Sequence, residues 1–224
     1  MAHVEPTSVV DITASVSNFV AEPTEADAEV ESSEPRTVFS DPTNFNIKHP
    51  LNCGWTFWFD NPSKKKTFNS WSQNLKKLIT VNTVEDFWGV FNNIAKPSEI
   101  SVGANFHLFR DGIKPEWEDP ANEHGGKWVF AAGKGKHDID DLWLHTLLAC
   151  IGEAFEVEDE LCGAIFSSRR DVYRITLWTR SCDSEEIALA IGQKFKEAIS
   201  PTQETIEFSS HADSSKSKAK KLTV

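Results

Sequence analysis

A chain of 224 residues with a formal net charge of -11 has room for one domain with tails. The acidic balance excludes a protein that coats long nucleic acid, a mode that needs many Lys and Arg contacts to phosphate, yet a local cationic pocket survives because charges are screened beyond roughly 8 Å at physiological salt. No stretch approaches the ~18 apolar residues of a membrane span, and the N-terminus has neither a basic start nor a hydrophobic run, so the expectation is a soluble cytoplasmic chain with no membrane contact.

In chain order, residues 1–46 are rich in Glu, Asp, Ser, Thr and Pro and lack the apolar content to offset ordering entropy, which predicts a disordered acidic arm. A folded domain is expected over 47–210. Trp55–Phe59 alternates with a period of two and predicts a strand, as do Phe106–Phe109, Lys127–Ala131, Cys162–Ser167 and Tyr173–Trp178. Between the first two strands, TVEDFWGVFNNIA predicts a helix: Thr83 is an N-cap with Asp86 three residues on, Phe87, Trp88, Phe91 and Ile94 recur at helical spacing, and Pro97 stops the run. IDDLWLHTLLACIGEAF predicts a second helix whose apolar arc, reaching Leu144 and Leu148, is about 160° wide and exceeds the ~100° a surface helix needs. Either a neighbouring element covers the far edge, or it is a docking surface with Trp88 exposed nearby. DSEEIALAIGQKFKEAI predicts a third helix, with Asp183 and Glu186 as a capping-box-like start, and the polar Lys-bearing segment 211–224 a flexible tail. Several strands joined by loops, with a few helices, give an α+β domain with an antiparallel sheet and helices on one face.

GIKPEWEDPANEHGGKW, residues 112–128, places Trp117 on a loop, since Pro115 and Pro120 exclude a regular helix or central strand and Asp119, Asn122, Gly125 and Gly126 are turn chemistry. Trp117 is either a lid folded onto the core or a stacking platform beside the fixed carboxylate of Glu118. Trp71, in NSWSQNLKK, is a second tryptophan in a polar setting. In the hairpin CGAIFSSRRDVYRITLW, Arg169 and Arg170 stand at the turn, and alternation puts Arg174, Thr176 and Trp178 on one face. That face is either merely solvated or able to hold phosphates next to a base. Catalytic motifs are absent: the sequence has no G-x-S-x-G, H-E-x-x-H, P-loop or G-x-G-x-x-G. His49, His107, His137 and His145 have no metal-ligand spacing, and Glu116, Glu118 and Asp119 are a poor metal set with Trp117 among them. Neither a cofactor nor a metal is expected. Cys53, Cys150, Cys162 and Cys182 form no C-x-x-C pair; reduced thiols are expected, with a Cys150–Cys162 bridge left open.

Seven segments in order, HPL at 49–51, WTFWF at 55–59, TVEDFW at 83–88, PEWEDP at 115–120, GGKW at 125–128, DLWLHTLLACIGE at 141–153 and CGAI to ITLW at 162–178, resemble the eukaryotic translation initiation factor 4E family. The resemblance implies a curved antiparallel sheet of about eight strands with three long helices on its convex face. It implies a non-enzymatic, monomeric protein that binds the 7-methylguanosine cap of messenger RNA, with 7-methyl-GTP as minimal ligand, and recruits scaffold factor 4G, with 4E-binding regulatory proteins as competitors. Its place is the cytoplasm, with the nucleus as a second location. Trp71 and Trp117 match the tryptophans that sandwich the base, Glu118 the acid that reads its edge, Arg169, Arg174 and Lys127 the phosphate-binding cations, and Trp178 the residue against the N7 methyl group. Trp55 and Trp71 match the family form that binds the cap tightly. His49, Pro50, Val84, Trp88, Leu144 and Leu148 match the partner-binding residues; His145 stands where Glu is common, which implies a weaker or pH-sensitive charge term there. A cap-binding repressor with other partners is the alternative, and a nucleotide hydrolase using the Glu116–Asp119 cluster a more distant one.

Overall fold

Period-two alternation of bulky apolar residues dictates the sheet, and the computed structural model of the chain supplies its pairing. The model describes residues 35–61, 74–157, 159–199, 204–212 and 222–224. The acidic segment through Glu34, Trp71 and most of the 211–224 tail lie outside the described residues. By its contacts the chain forms two compact units, residues 1–50 with 83–95, and 51–82 with 96–224.

The second unit is built on a curved, unclosed antiparallel sheet. Its strands are β1 (Pro50–Asp60), β2 (Leu75–Thr83), β3 (Asn105–Arg110), β4 (Gly126–Gly133), β5 (Leu161–Ser168), β6 (Val172–Thr179), β7 (Glu207–Ser210) and β8 (Leu222–Thr223), in the order β2-β1-β3-β5-β6-β4-β7-β8. All five predicted strands fall inside these elements. β2, β7 and β8 are additions: β2 carries Lys76 and Lys77 and no aromatic residue, whereas β7 and β8 are four and two residues long and exist through pairing with β4 and with each other. The chain from 211 on is thus not all tail, since Leu222 pairs with Phe208.

Helix α1 (Val84–Phe91) lies in the first unit; α2 (Ile139–Ile151) and α3 (Glu185–Ala198) lie in the second. α1 has only eight residues, shorter than the resemblance implies. As predicted, the Thr83 side chain caps α1 by accepting from the Asp86 N–H at 3.1 Å. The first unit is drawn together by acids of that first turn, which also suit the positive end of the helix dipole: Glu85 accepts from the His49 backbone N–H at 2.8 Å and meets its Nδ1 at 2.6 Å, and Lys48 donates to Asp86 at 2.7 Å. α2 is capped by Asp138 and ends at Gly152, short of the predicted Phe155. For α3 the cap is Ser184, not Asp183: its hydroxyl accepts from the Ile187 N–H at 3.3 Å.

Both α2 and α3 cover one sheet face. Trp128, Phe130, Phe166, Ile175 and Leu177 point to it and are fully buried. Trp143 of α2 meets Phe166 with ring centroids 5.9 Å apart, and Trp128 donates its indole N–H to the Ala188 carbonyl of α3 at 3.0 Å. α3 approaches this closely because Gly192 has no side chain; a Cβ there would stand 2.4 Å from the Trp128 ring. Among the described residues the opposite face carries no helix of this unit, and it is there that the polar and cationic side chains collect.

Candidate functional site

Register brings the predicted cations onto the open face. Lys127 of β4 is the cross-strand partner of Trp178 in β6, and Arg174 is opposite Ser167 of β5. Arg169 is one residue beyond β5, where its backbone N–H donates to the Val172 carbonyl at 3.0 Å and closes the hairpin turn. Arg174 precedes Trp178 by four residues, about 13 Å along the strand, room for a ribose and a chain of phosphates. Neither Lys127 nor Arg174 has an ion-pair partner among the described residues. Burial lowers the Lys127 pKa, and the Arg174 charge lowers it further. Arg169 is likewise pulled down by burial and by Arg174, with Asp60 acting against both. Two half-buried cations, each disfavoured by the Arg174 charge, form a site that an anion relieves.

At the other end of this face, Phe109, Ile113 and Cys162 make a small apolar floor, with Trp58, Ala121, Ile165 and Trp178 packed against it. Trp178 meets Phe109 edge-on at 5.6 Å. From the loop between β3 and β4 projects Trp117, 60% exposed, which decides against the lid. The loop is held from within. Buried Asn122 donates to the carbonyls of Lys114 and Glu116 at 2.8 and 2.7 Å, Asp119 accepts from the N–H groups of Lys114 and Ala121, both at 2.9 Å, and Cys162 donates to the Ala121 carbonyl at 3.3 Å. An indole in water on a braced loop is a preorganised stacking surface. Glu118 beside it is exposed. Both Asp119 oxygens already serve the loop backbone, so Asp119 is structural, and Glu118 is the exposed carboxylate beside the indole.

The face also holds residues not anticipated from sequence. His211, assigned there to the tail, is buried against Trp178 with ring centroids 4.3 Å apart, and its backbone N–H donates to the Gly125 carbonyl. Burial, with Lys127 adding, lowers its pKa to about 4 from 6.5. The folded chain therefore keeps His211 neutral where the unfolded chain protonates it, so stability is complete above pH 6.5 and falls as pH drops toward 4. Relative to pH 7, the loss at pH 5 is about 2 kcal/mol. Denaturant melts at pH 7 and pH 5 should show this gap in the native chain and a smaller one in His211→Phe; an unchanged gap would deny His211 the effect. Asp60, Asn105 and His107 form a buried polar cluster under Arg169.

Of the predicted partner-binding residues, His49 and Pro50 are exposed and Val84 and Trp88 half-buried in the first unit, where the Trp88 ring meets Phe87 and Phe91 edge-on at 5.3 and 5.9 Å. Trp88 is thus less open than predicted. In the second unit Leu144, His145 and Leu148 are half-buried on α2, and His145 Nε2 is 3.8 Å from Asp141 one turn earlier. The four cysteines are free, with no Cys150–Cys162 bridge.

A sheet backed by helices on one side, with a braced exposed indole, an aromatic floor and unpaired cations on the other, defines a binding module for an anionic, ring-bearing ligand. The model of the family described as eukaryotic initiation factor 4E matches residues 50–223. Eukaryotic translation initiation factor 4E-1 of Schizosaccharomyces pombe is 44% identical over 203 residues, covering 87% of this chain and 92% of the relative. Among solved structures, eIF4E-3 of Ascaris suum in complex with an m2,2,7G cap superposes with a TM-score of 0.73 at 35% identity, over 80% of this chain and 99% of that one. The C. elegans eIF4E-3 complex with the 4E-binding protein Mextli and a cap analog has the same TM-score, 0.73, at 34% identity, over 80% and 100% of the two chains. The chain belongs to the eukaryotic initiation factor 4E family.

Proposed function

We propose that this protein binds the 7-methylguanosine cap at the 5′ end of messenger RNA and recruits a scaffold initiation factor to start translation, as a non-enzymatic monomer working in the cytoplasm. The observation that carries this reading is a braced, exposed Trp117 on the loop whose Ile113 and Ala121 pack onto the open sheet face, together with Lys127 and Arg174 on that face, unpaired among the described residues, and the half-buried Arg169. Methylation at N7 gives guanine a delocalised positive charge, so the base is drawn to indole faces by cation–π attraction beyond stacking, worth about 2 kcal/mol when desolvated. Trp117 supplies one such face and Trp71 is assigned the other. Glu118 accepts from the N1 and N2 donors of the base, bonds strengthened by charge on both partners. Trp178 lies against the methyl group, and Arg169, Arg174 and Lys127 take the phosphates. Complexes of relatives with caps and with a 4E-binding protein support both halves of the reading. For the partner we assign His49, Pro50, Val84 and Trp88 in the first unit and Leu144, His145 and Leu148 in the second. Retention on immobilised 7-methyl-GTP, with release by free 7-methyl-GTP but not by GTP, tests the cap assignment; release by both alike would count against it.

A further inference from the structure

Under Arg169 is a polar stack closed off from water, and none of its three members is among the residues assigned above to the ligand. Asp60, at the end of β1, is 0% exposed, His107 1% and Asn105 7%. Register sets Asp60 opposite Asn105 and His107 opposite Trp58, so all three share the open face with Arg174. The two Asp60 oxygens accept from the Asn105 amide nitrogen at 2.9 and 2.8 Å, and one also meets His107 Nε2 at 2.6 Å. A carboxylate only accepts, so Nε2 must carry the proton and the Asn105 amide must present its NH2 end. The consequence is directional. With its nitrogen committed to both Asp60 oxygens and, at a longer 3.4 Å, to the Gly103 carbonyl, Asn105 turns its oxygen outward, and that oxygen accepts from Arg169 Nη2 at 3.0 Å. Arg169 Nη1 donates to the Ser168 carbonyl at 2.9 Å, which uses a second guanidinium N–H and fixes the plane of the fork.

An amide is nearly symmetric in outline, and without an acceptor-only neighbour it can turn over and offer Arg169 a donor, which would push the guanidinium away. Burying a carboxylate is costly unless its lone pairs are satisfied; the site meets that cost with three close contacts, directly after the aromatic run Phe57–Phe59 of its strand. We infer that Asp60, held by His107, is a positioning residue for cap binding: by dictating the orientation of the Asn105 amide it aims the Arg169 guanidinium at the ligand phosphates and sets how strongly affinity depends on them. Asp60 touches no ligand in this scheme. The inference rests on the cap-binding reading of the open face and adds to it a determinant of phosphate dependence.

The test titrates the full chain with 7-methyl-GTP and with 7-methylguanosine, which lacks phosphates, comparing wild type, Asp60→Asn, Arg169→Ala and the double variant. Asp60→Asn should weaken 7-methyl-GTP about fivefold to tenfold, the scale of one hydrogen bond's net contribution, and leave 7-methylguanosine within about twofold. In the Arg169→Ala background it should add nothing, because the two changes act through one contact. Equal loss for both ligands, or the full loss without Arg169, would overturn the inference and mark Asp60 as structural only. Should Asp60→Asn not fold, Asn105→Ala is read by the same criterion. A wild-type chain that binds neither ligand would remove the cap reading itself, and this inference with it.

Discussion

Trp117→Ala should abolish retention on immobilised 7-methyl-GTP while leaving the melting temperature of the chain unchanged. The two halves of that expectation have one origin. Trp117 is 60% exposed, so shortening it empties no packed volume, and its loop is braced by Asn122 and Asp119 rather than by the indole. Core tryptophans behave otherwise: Trp128 and Trp143 are 0% and 1% exposed, and truncating either would cost about 3 to 5 kcal/mol of stability. If Trp117 is one face of the proposed indole sandwich, removing it costs the ligand at least ~2 kcal/mol, about thirtyfold in affinity, and stacking area besides. A retained chain would show that Trp117 is not a face of the site; an unfolded one would show that it packs after all. Calorimetry of the same sample separates the two.

Trp88→Ala should have the complementary effect, losing the scaffold or a 4E-binding protein while 7-methyl-GTP affinity holds. Interfaces concentrate their energy in a few aromatic anchors, and truncating one costs about 2 to 4 kcal/mol, or roughly thirty- to a thousandfold. Trp88 is half-buried and sits edge-on to Phe87 and Phe91, so this variant, unlike Trp117→Ala, should also lose about 1 kcal/mol of stability. A pull-down with a partner peptide, run beside a 7-methyl-GTP titration, reads both. If both activities fall together in a folded chain, the cap and partner sites are not separable.

The local signals that were legible are those whose physics is local. Thr83 with Asp86 announces the start of α1 because a cap bond spans three residues, and the alternation of Tyr173 to Trp178 places Arg174 and Trp178 on one face because a strand has a period of two. What was not legible depends on distant partners. β7 and β8 are too short to carry a pattern and form by pairing with β4 and with each other, and His211 is buried only because β7 delivers it to Trp178. Asp60 and Asn105 are 45 positions apart in the chain, so nothing near either announces the cluster. Trp117 left two readings open in sequence, and its exposure on a loop braced from within by Asn122 separates them. The seven ordered motifs go further than any of these signals, since together they specify residues whose individual patterns are equally consistent with a solvated sheet face.

Recognition of a positively charged base is the central claim, and quenching of tryptophan fluorescence by 7-methyl-GTP against GTP measures it most directly. The two nucleotides share ribose, phosphates and guanine donors, and differ in one methyl group and the charge it brings. The account requires 7-methyl-GTP to bind at least about thirtyfold more tightly than GTP, the ~2 kcal/mol of the cation–π contribution. Equal affinity for the two would contradict it, because the open face would then be reading phosphate alone.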